Sequence, residues 1–255
     1  MQLNKSGVNS SCLNAEVEMN SLAPATAMRN LLNEIADRQE SFGRFLHQPA
    51  PVQQQVVWHP TSVIAHERHA LFHQQPVCFW MTGLSAAGKS TIAYALEKKL
   101  LQAGHACVVL DGDNLRHHLC SDLGFTEQDR RENLRRAAEV AHLFNEAGMI
   151  VITAFISPSA SDRAMARAII GDTRFVEVYV DAASAVCELR DPKGLYQRAR
   201  KGEIPNFTGV SAPYDIPLQP EIVLKSDRQT VGGSVQVLFD YLSEHSFTGD
   251  SFKDK

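Results

Sequence analysis

The sequence has 255 residues, of which 44% are hydrophobic, and a formal net charge of −4. This length fits one α/β domain with extensions or two small domains, and the hydrophobic share is enough for a complete core. The acidic balance excludes a global basic field, so we expect no nucleic-acid or membrane partner, and an anionic ligand must be held by a local basic cluster.

Composition also bears on the cellular compartment. The beginning of the chain lacks the pattern of a secretory signal, and no apolar run reaches the ~20 residues of a membrane span. The five cysteines are odd in number and form no CxxC pair, which favours reduced structural thiols over disulfides or a metal site. We therefore expect a cytoplasmic protein.

The first part of the chain is predicted to lie outside the main domain. Residues 1–25 are polar and predicted to be disordered, residues 27–46 have the spacing of a short amphipathic helix, and residues 47–55 are typical of a linker. Residues 58–75 carry four histidines, which favour a helix with a solvated face over a metal site. We expect an extension at residues 1–56, a domain at 57–245 and a flexible tail at 246–255.

From residue 77 onwards, short apolar runs alternate with helical patterns. Strands are predicted at residues 77–82, 106–110, 149–155, 175–180 and 221–224, and helices at 89–101, 133–147 and 231–242. The strands are continuous apolar runs, as in strands buried on both faces. This pattern predicts an α/β fold with a parallel sheet and helices on both faces, whose ligands bind at the carboxyl ends of the strands.

The first motif, GLSAAGKS, joins the first predicted strand to the helix after it. It fits G-x-x-x-x-G-K-[ST], in which backbone N–H groups and a helix N-terminus surround phosphate oxygens. Lys89 supplies a full charge to the β- and γ-phosphates, and the Ser90 hydroxyl is placed to bind Mg²⁺. The sequence therefore predicts a phosphate-binding loop and a nucleotide-dependent phosphotransferase.

The second motif, DGDNLR, directly follows the next strand. Asp111 and Asp113 beside a polyphosphate can hold metal-bound water or accept a hydroxyl proton, and Arg116 can pair with an anionic acceptor. The same residues are also good helix caps, so the motif alone leaves both interpretations open.

Further along, basic residues cluster around an aromatic one. Phe125 could stack on a base, and Arg130 and Arg135 belong to the densest basic run of the chain. For Arg131 and Arg136, a solvated helix face with salt bridges is the better interpretation.

Two later segments complete the candidate site. FISP ends a strand, and its Ser157 could contact a ligand, act as a nucleophile or form a turn. DPKGLYQRAR and NFTG combine a basic helix with a loop containing Gly and Pro, which is what a closing lid over a transferring phosphoryl group needs.

Together these segments resemble the adenylyl-sulfate kinase (APS kinase) family. The resemblance covers most of the chain, in family order, through WHP, GLSxxGKST, DGDNLR, LGF, DRRENLRR, FISP, DPKGLYQRAR and NFTGVSAPYDIP. It implies a P-loop kinase fold with a helical lid. It also implies phosphorylation of the 3′-hydroxyl of adenosine 5′-phosphosulfate (APS) by ATP with Mg²⁺, giving 3′-phosphoadenylyl sulfate and ADP for sulfate assimilation. Relatives suggest a homodimer, and a separate ATP sulfurylase would supply the APS.

The resemblance also implies residue roles. Catalysis would involve Lys89, Asp111 and Asp113, whereas the phosphoserine intermediate sometimes given for Ser157 is unnecessary for direct in-line transfer. Mg²⁺ would be held by Ser90 and, through water, by Asp113. ATP would bind to Gly83, Leu84, Ser85, Ala86, Ala87, Gly88, Lys89, Ser90 and Thr91. APS would bind to Arg116, Phe125, Arg130, Asn133, Ile156, Ser157, Lys193 and Phe207, with Phe125 and Phe207 on either side of the adenine.

The chain departs from the family pattern at two places. Ser159 and Ala160 replace an aromatic and a basic residue after FISP, and Ala86 and Ala87 stand where glycine often occurs. The first departure could alter acceptor binding, whereas small residues still permit phosphate binding. Two alternatives stay open, namely a kinase for another small metabolite and a catalytically weak regulatory subunit of sulfate activation.

Overall fold

The structure is a computed structural model that describes residues 56–248. The chain divides into two compact units, residues 1–59 and 60–255. Of the first unit only residues 56–59 are described, and they have no regular secondary structure. The predicted disordered segment, amphipathic helix and linker, with Cys12, therefore lie outside the described residues, and the proposed domain boundaries stay a prediction.

A five-stranded parallel sheet forms the centre of the second unit. Its strands are β1 (Cys78–Thr82), β2 (Cys107–Asp111), β3 (Ile150–Ala154), β4 (Phe175–Asp181) and β5 (Ile222–Lys225). Their order in the sheet is β2-β3-β1-β4-β5, and every pairing is parallel. The predicted α/β class and all five predicted strands are confirmed.

Helices cover both faces of the sheet. They are α1 (Ala65–Phe72), α2 (Lys89–Gln102), α3 (Gly112–Arg116), α4 (Glu127–Glu146), α5 (Ala160–Ile170), α6 (Ser184–Arg190), α7 (Leu195–Arg200) and α8 (Val231–Glu244). The side chains of β1 alternate between two apolar clusters. Phe79 and Met81 pack with residues of α2 and α8, whereas Cys78 and Trp80 pack with residues of α4 and α5. Because β1 is buried on both faces, it reads as one continuous apolar run.

Three helices differ from the prediction, and two of them, α5 and α6, were not predicted at all. Helix α4 begins at Glu127 rather than at residue 133, because the Thr126 hydroxyl accepts a hydrogen bond from the Asp129 N–H at 3.1 Å and caps the helix there. The basic run from Arg130 to Arg136 is therefore entirely helical. Helix α5 was not predicted, since its first turn consists of small and polar residues directly after Pro158.

The histidine-rich segment forms the short helix α1, in which no residue is fully buried. His66 and His73 are exposed and His69 is half-buried. Across residues 56–248, no three His, Cys, Asp or Glu side chains are grouped so that they could hold a metal ion. Cys78, Cys107, Cys120 and Cys187 are free and buried, as expected for structural thiols.

The described chain continues past the predicted end of the domain. Gln75 N–H donates to the Phe247 carbonyl at 2.7 Å, and Gln74 forms a β-bridge with Thr248. Residues 247 and 248, which were predicted to belong to the tail, therefore contact the segment before β1. Within the described part of the chain, no helix is long and apolar enough to cross a membrane.

Candidate active site

The predicted phosphate-binding loop connects β1, the central strand, to α2. Gly83 has φ +150°, and a Cβ atom there would lie 2.4 Å from the Val180 carbonyl oxygen, so the position requires glycine. Gly88 adopts φ +101° immediately before the helix. Ala86 has φ +60°, in the left-handed region where glycine would be less strained. The loop therefore forms despite Ala86, with its N–H groups next to a helix N-terminus.

Lys89 is buried at the first position of α2. Its Nζ donates hydrogen bonds to the carbonyl oxygens of Gly83 at 2.8 Å and Leu84 at 2.7 Å. Burial lowers the pKa of Lys89 to about 8, against an opposing effect of nearby carboxylates that include Asp111. A phosphate oxygen that enters the loop would compete with these two neutral carbonyls for the ammonium group. It would also place a negative charge beside this buried positive charge.

The next residue, Ser90, faces the end of β2. Its Oγ donates to Asp111 Oδ2 at 2.6 Å, while Asp111 Oδ1 accepts from the Asp113 N–H at 2.9 Å and caps α3. Asp111 therefore acts as a helix cap, which confirms one interpretation of DGDNLR, and it lies beside the loop, where its role in catalysis stays a prediction. A hydroxyl and a carboxylate in contact at the end of a phosphate-binding loop fit the oxygen ligands that Mg²⁺ takes together with substrate phosphates.

Asp113 points instead towards the predicted lid. Its carboxylate forms an ion pair with Lys193, and this contact raises the pKa of Lys193. Both side chains are largely exposed, and an exposed pair contributes at most about 1 kcal/mol. The pair therefore connects the lid segment to the site without locking it.

Two arginines of the lid segment form ion pairs away from Asp113. Arg198 pairs with Glu203 at 3.3 Å, and Arg200 pairs with Glu188 at 3.0 Å. These two arginines are therefore paired with glutamates, and their predicted role beside a transferring phosphoryl group stays a prediction, whereas Lys193 contacts the site through Asp113.

On the acceptor side, Arg116 and Arg130 organise the aromatic cluster. Arg116 donates to the Gly124 carbonyl at 2.7 Å, and its guanidinium lies 4.4 Å from the centre of the exposed Phe125 ring. Arg130 donates to the carbonyls of Phe125 at 3.0 Å and Asn206 at 3.1 Å. Arg130 therefore brings the Phe125 loop next to the segment that carries Phe207.

Phe207 is less accessible than the predicted adenine sandwich requires. It is buried and packs edge-on against Tyr196, with ring centroids 5.0 Å apart. Phe125 is the aromatic face that is open in this structure. A base held between the two rings would need Phe207 to become more exposed than it is here.

Asn133 and Ile156 also lie in this region. Asn133 is buried on α4, and its Nδ2 has no hydrogen-bond partner within residues 56–248. A buried amide without a partner is costly, so this group is available to a ligand. The Ile156 carbonyl accepts from the Thr82 hydroxyl at 2.8 Å and the Gly83 N–H at 3.4 Å, so it contacts the beginning of the phosphate-binding loop.

Ser157 is buried and adopts φ +35°. Its Oγ accepts a hydrogen bond from the Trp80 indole N–H at 3.3 Å. In the described chain no carboxylate or imidazole hydrogen-bonds to this hydroxyl, so it lacks the neighbouring base that activates a serine nucleophile.

Arg131 and Arg136 confirm the solvated-face interpretation. Arg136 pairs with Asp122 at 2.7 Å and with Glu132 at 2.9 Å, and Arg131 lies 3.8 Å from Asp162. Arg135 belongs to the same network, and hydrogen bonds from Arg135 and Arg136 lower the pKa of Glu132 to about 2.

Sequence reasoning missed several residues around the site. Arg190, at the end of α6, donates to the Ser226 carbonyl at 2.7 Å and the Ala86 carbonyl at 3.5 Å, so a cation lies beside the phosphate-binding loop. Arg163 on α5 donates to the Ser157 carbonyl at 2.9 Å, and the Tyr214 hydroxyl contacts the Thr82 hydroxyl at 2.8 Å, which in turn donates to the Ile156 carbonyl. Arg190 and Tyr214 make these contacts with residues far away in sequence, whereas Arg163 lies only five and six positions from Pro158 and Ser157, on a helix that was not predicted.

The comparisons with known proteins agree with this arrangement. The family model described as adenylylsulphate kinase matches residues 75–225. An adenylyl-sulfate kinase of Marinobacter nauticus is 52% identical over 189 residues, which cover 74% of this chain and 95% of the relative.

Two solved structures are similar in fold and sequence. One, from Mycobacterium tuberculosis, is the APS kinase CysC in complex with AMPPNP and APS. It is 45% identical with a TM-score of 0.65, and the match covers 67% of this chain and 99% of that one. The other, a hexameric APS kinase from Thiobacillus denitrificans, is 29% identical with a TM-score of 0.54, over 72% of this chain and 32% of that one. This chain belongs to the adenylylsulphate kinase family.

Proposed function

We propose that the protein transfers the γ-phosphoryl group of ATP to the 3′-hydroxyl of APS, giving 3′-phosphoadenylyl sulfate and ADP. The observation that carries this proposal is that one short segment contacts both the phosphate-binding loop and the lid segment. The Asp111–Asp113 turn touches the phosphate-binding loop through Ser90, and reaches the lid segment through Lys193. Family membership and the M. tuberculosis relative solved with AMPPNP and APS support the two substrates.

The donor would occupy the phosphate-binding loop, residues 83–91. Lys89 would exchange its two carbonyl partners for β- and γ-phosphate oxygens, and Arg190 adds a second cation beside Ala86. Ser90, with Asp111 next to it and Asp113 through water, would hold Mg²⁺. When bound, the ion would neutralise charge that develops on the phosphate oxygens.

The acceptor would lie across the crevice. Phe125 offers an open ring for the adenine, Arg116 and Arg130 offer positive charge for the phosphosulfate, and Asn133 Nδ2 offers a free donor. Asp113 would release Lys193 and accept the proton of the 3′-hydroxyl, while the freed ammonium group contacts the acceptor. Positioning and electrostatic stabilisation carry most of such a reaction.

We further propose a cytoplasmic homodimer that receives APS from a separate ATP sulfurylase. The family resemblance supports this proposal, although the T. denitrificans relative is hexameric. Light scattering of the purified protein measures the assembly directly, and a mass other than that of two chains contradicts the dimer.

A turnover assay tests the proposed reaction. Purified protein should release ADP from Mg·ATP only when APS is added, and the product should carry one additional phosphoryl group. Equal turnover with gluconate, shikimate or a nucleoside monophosphate would identify a kinase for another metabolite. Absence of turnover, with or without residues 1–56, would favour a regulatory subunit.

A further inference from the structure

The turn at Ser157 needs support from outside its own segment. Ser157 combines a positive φ with almost complete burial, and it stands directly before Pro158. A serine is strained in this backbone region, and such strain persists only where surrounding contacts fix the conformation. The turn also carries Ile156 and Ser157, which are candidates for contact with the acceptor.

Arg163 supplies the contacts that the turn requires. Its Nη1 donates to the carbonyl oxygens of Ser157 at 2.9 Å and Pro158 at 3.2 Å, and its Nη2 donates to the Asp215 carbonyl at 2.8 Å. Its Nε donates to Glu177 Oε1 on β4 at 2.6 Å. One buried guanidinium therefore joins the turn, the segment at residue 215 and the sheet.

The same segments meet at a second point. The Thr82 hydroxyl contacts the Tyr214 hydroxyl at 2.8 Å and donates to the Ile156 carbonyl at 2.8 Å. Asp215 N–H donates to the Pro158 carbonyl at 2.9 Å, and its Oδ2 accepts from the Ala160 N–H at 3.0 Å. The turn is therefore bound on both sides, and Ala160, one of the two departures from the family pattern, contributes through its backbone.

We propose that Arg163 is a positioning residue for the phosphoryl acceptor, which fixes the Ile156–Ser157 turn and thereby sets acceptor affinity much more than donor affinity. The proposal rests on the proposed function for the identity of the acceptor. Only a planar fork with several donors can reach carbonyls on two segments and a carboxylate at once. A lysine at this position would keep the charge and lose the geometry.

Steady-state kinetics on two matched variants tests this role. Arg163→Lys should raise KM for APS on the order of tenfold, since a small displacement of a positioning group has such effects, with KM for ATP nearly unchanged. Glu177→Gln removes the charge partner of Arg163 but keeps its bonds to the turn, so it should lower the melting temperature with KM for APS nearly unchanged. Equal changes for both substrates, or equal effects in both variants, would overturn the proposal.

Fluorescence provides a second reading that does not depend on any acceptor. The chain has two tryptophans, Trp58, which is exposed, and Trp80, which is buried and donates to the Ser157 hydroxyl. In a Trp58→Phe background, emission therefore reports the environment of the turn. Arg163→Lys should shift this emission to longer wavelength and increase quenching by acrylamide, whereas Glu177→Gln should leave both unchanged.

The two measurements separate the proposals. If the wild type does not use APS but the emission shifts as stated, the proposed function fails and the positioning role stands. If the wild type uses APS and the emission of Arg163→Lys is unchanged, the positioning role fails alone. If Arg163→Lys does not fold, Tyr214→Phe serves instead, because it removes only the Tyr214 hydroxyl that contacts Thr82. This variant should show a smaller shift of the emission and a smaller increase in KM for APS, with KM for ATP nearly unchanged. If Tyr214→Phe changes neither the emission nor KM for APS, the proposal is also overturned.

Discussion

The donor side and the acceptor side of the site are built differently. We use donor side for residues 83–91 and acceptor side for the Arg116–Asn133 cluster, the Ile156–Ser157 turn and the Lys193–Phe207 segment. On the donor side Lys89 bonds to Gly83, six positions away. On the acceptor side Arg130 contacts Thr208 across 78 positions, and Lys193 reaches Asp113 across 80 positions.

This difference explains how much of each side can be recognised from the amino-acid sequence. A site made by one strand, one loop and one helix leaves a local motif, because each residue type is required by its immediate neighbours. A site assembled from distant segments leaves only scattered fragments, whose meeting depends on the fold. The donor is therefore identified by spacing alone, whereas the acceptor needed the resemblance to a family.

The largest expected effect comes from the donor side. Lys89→Ala removes the buried ammonium group of the loop, and we expect kcat to fall on the order of 10²-fold or more, as when other electrostatic clamps are removed. Lys98→Ala changes an exposed lysine of the same helix and should leave kcat unchanged. A comparable kcat in Lys89→Ala would contradict the assignment of the loop as the donor site.

The second prediction concerns the two aspartates that lie where the sides meet. Asp111 contacts Ser90 whereas Asp113 contacts Lys193, so replacing the two carboxylates should have different effects on Mg²⁺ dependence and on kcat. Asp111→Asn should raise the Mg²⁺ concentration needed for half-maximal rate by about 10–100-fold, as loss of a metal-site partner does. Asp113→Asn should lower kcat with a smaller change in Mg²⁺ dependence, since it loses the acceptor of the hydroxyl proton. Identical Mg²⁺ titrations of the two variants would contradict this division.

Much of the fold follows from the sequence for the same reason that the loop does. All five strands were predicted because each contains a short apolar run. The central strands β1 and β3 are buried on both faces, whereas the edge strand β5 alternates between buried and exposed residues. Helix α4 was predicted too short because Thr126, its cap, stands next to Phe125 in a segment that suggested only ligand binding. Helix α5 was not predicted, although Ala166 and Ile170 on it are buried.

The contacts within the site are harder to predict from the sequence than the strands are. The sequence motifs supplied the residue types, but the partners of each side chain depend on distant segments. Nothing near Arg163 indicates that Asp215 and Glu177 will meet it, and nothing near Phe207 indicates that Tyr196 will cover it. Pairing of Arg200 on α7 with Glu188 on α6 likewise depends on how these two helices pack.

The third prediction uses the pKa of Lys89. Burial holds it at about 8 in the free protein, below the ordinary value of 10.5. The charged form that attracts phosphate is therefore lost as pH rises through 8, and kcat/KM for ATP should fall about tenfold per pH unit above that value. A bound polyphosphate raises the pKa, so kcat should stay level to higher pH. A profile of kcat/KM that stays level to pH 9.5 would contradict the burial of this charge.

Stability should show the opposite dependence on pH. Between pH 8 and 10.5 the unfolded chain binds the proton of Lys89 more strongly than the folded chain does, so the free energy of unfolding contributed by this residue rises with pH. The difference in free energy of unfolding between wild type and Lys89→Met, followed by urea denaturation across this range, isolates the contribution.

The smallest expected effect on rate comes from Ser157, on the acceptor side. Its hydroxyl accepts from Trp80 and contacts no base in the described chain, so Ser157→Ala should keep kcat within about threefold of wild type, whereas loss of an obligatory nucleophile costs roughly 10⁴-fold or more. The buried Trp80 N–H loses its acceptor, so the free energy of unfolding should fall by about 1–3 kcal/mol. Ser161→Ala, at an exposed serine four residues further on, controls for both readings. A fall in kcat as large as that of Lys89→Ala would mean that the acceptor side takes part in covalent chemistry, and the contrast between a reactive donor side and a positioning acceptor side would fail.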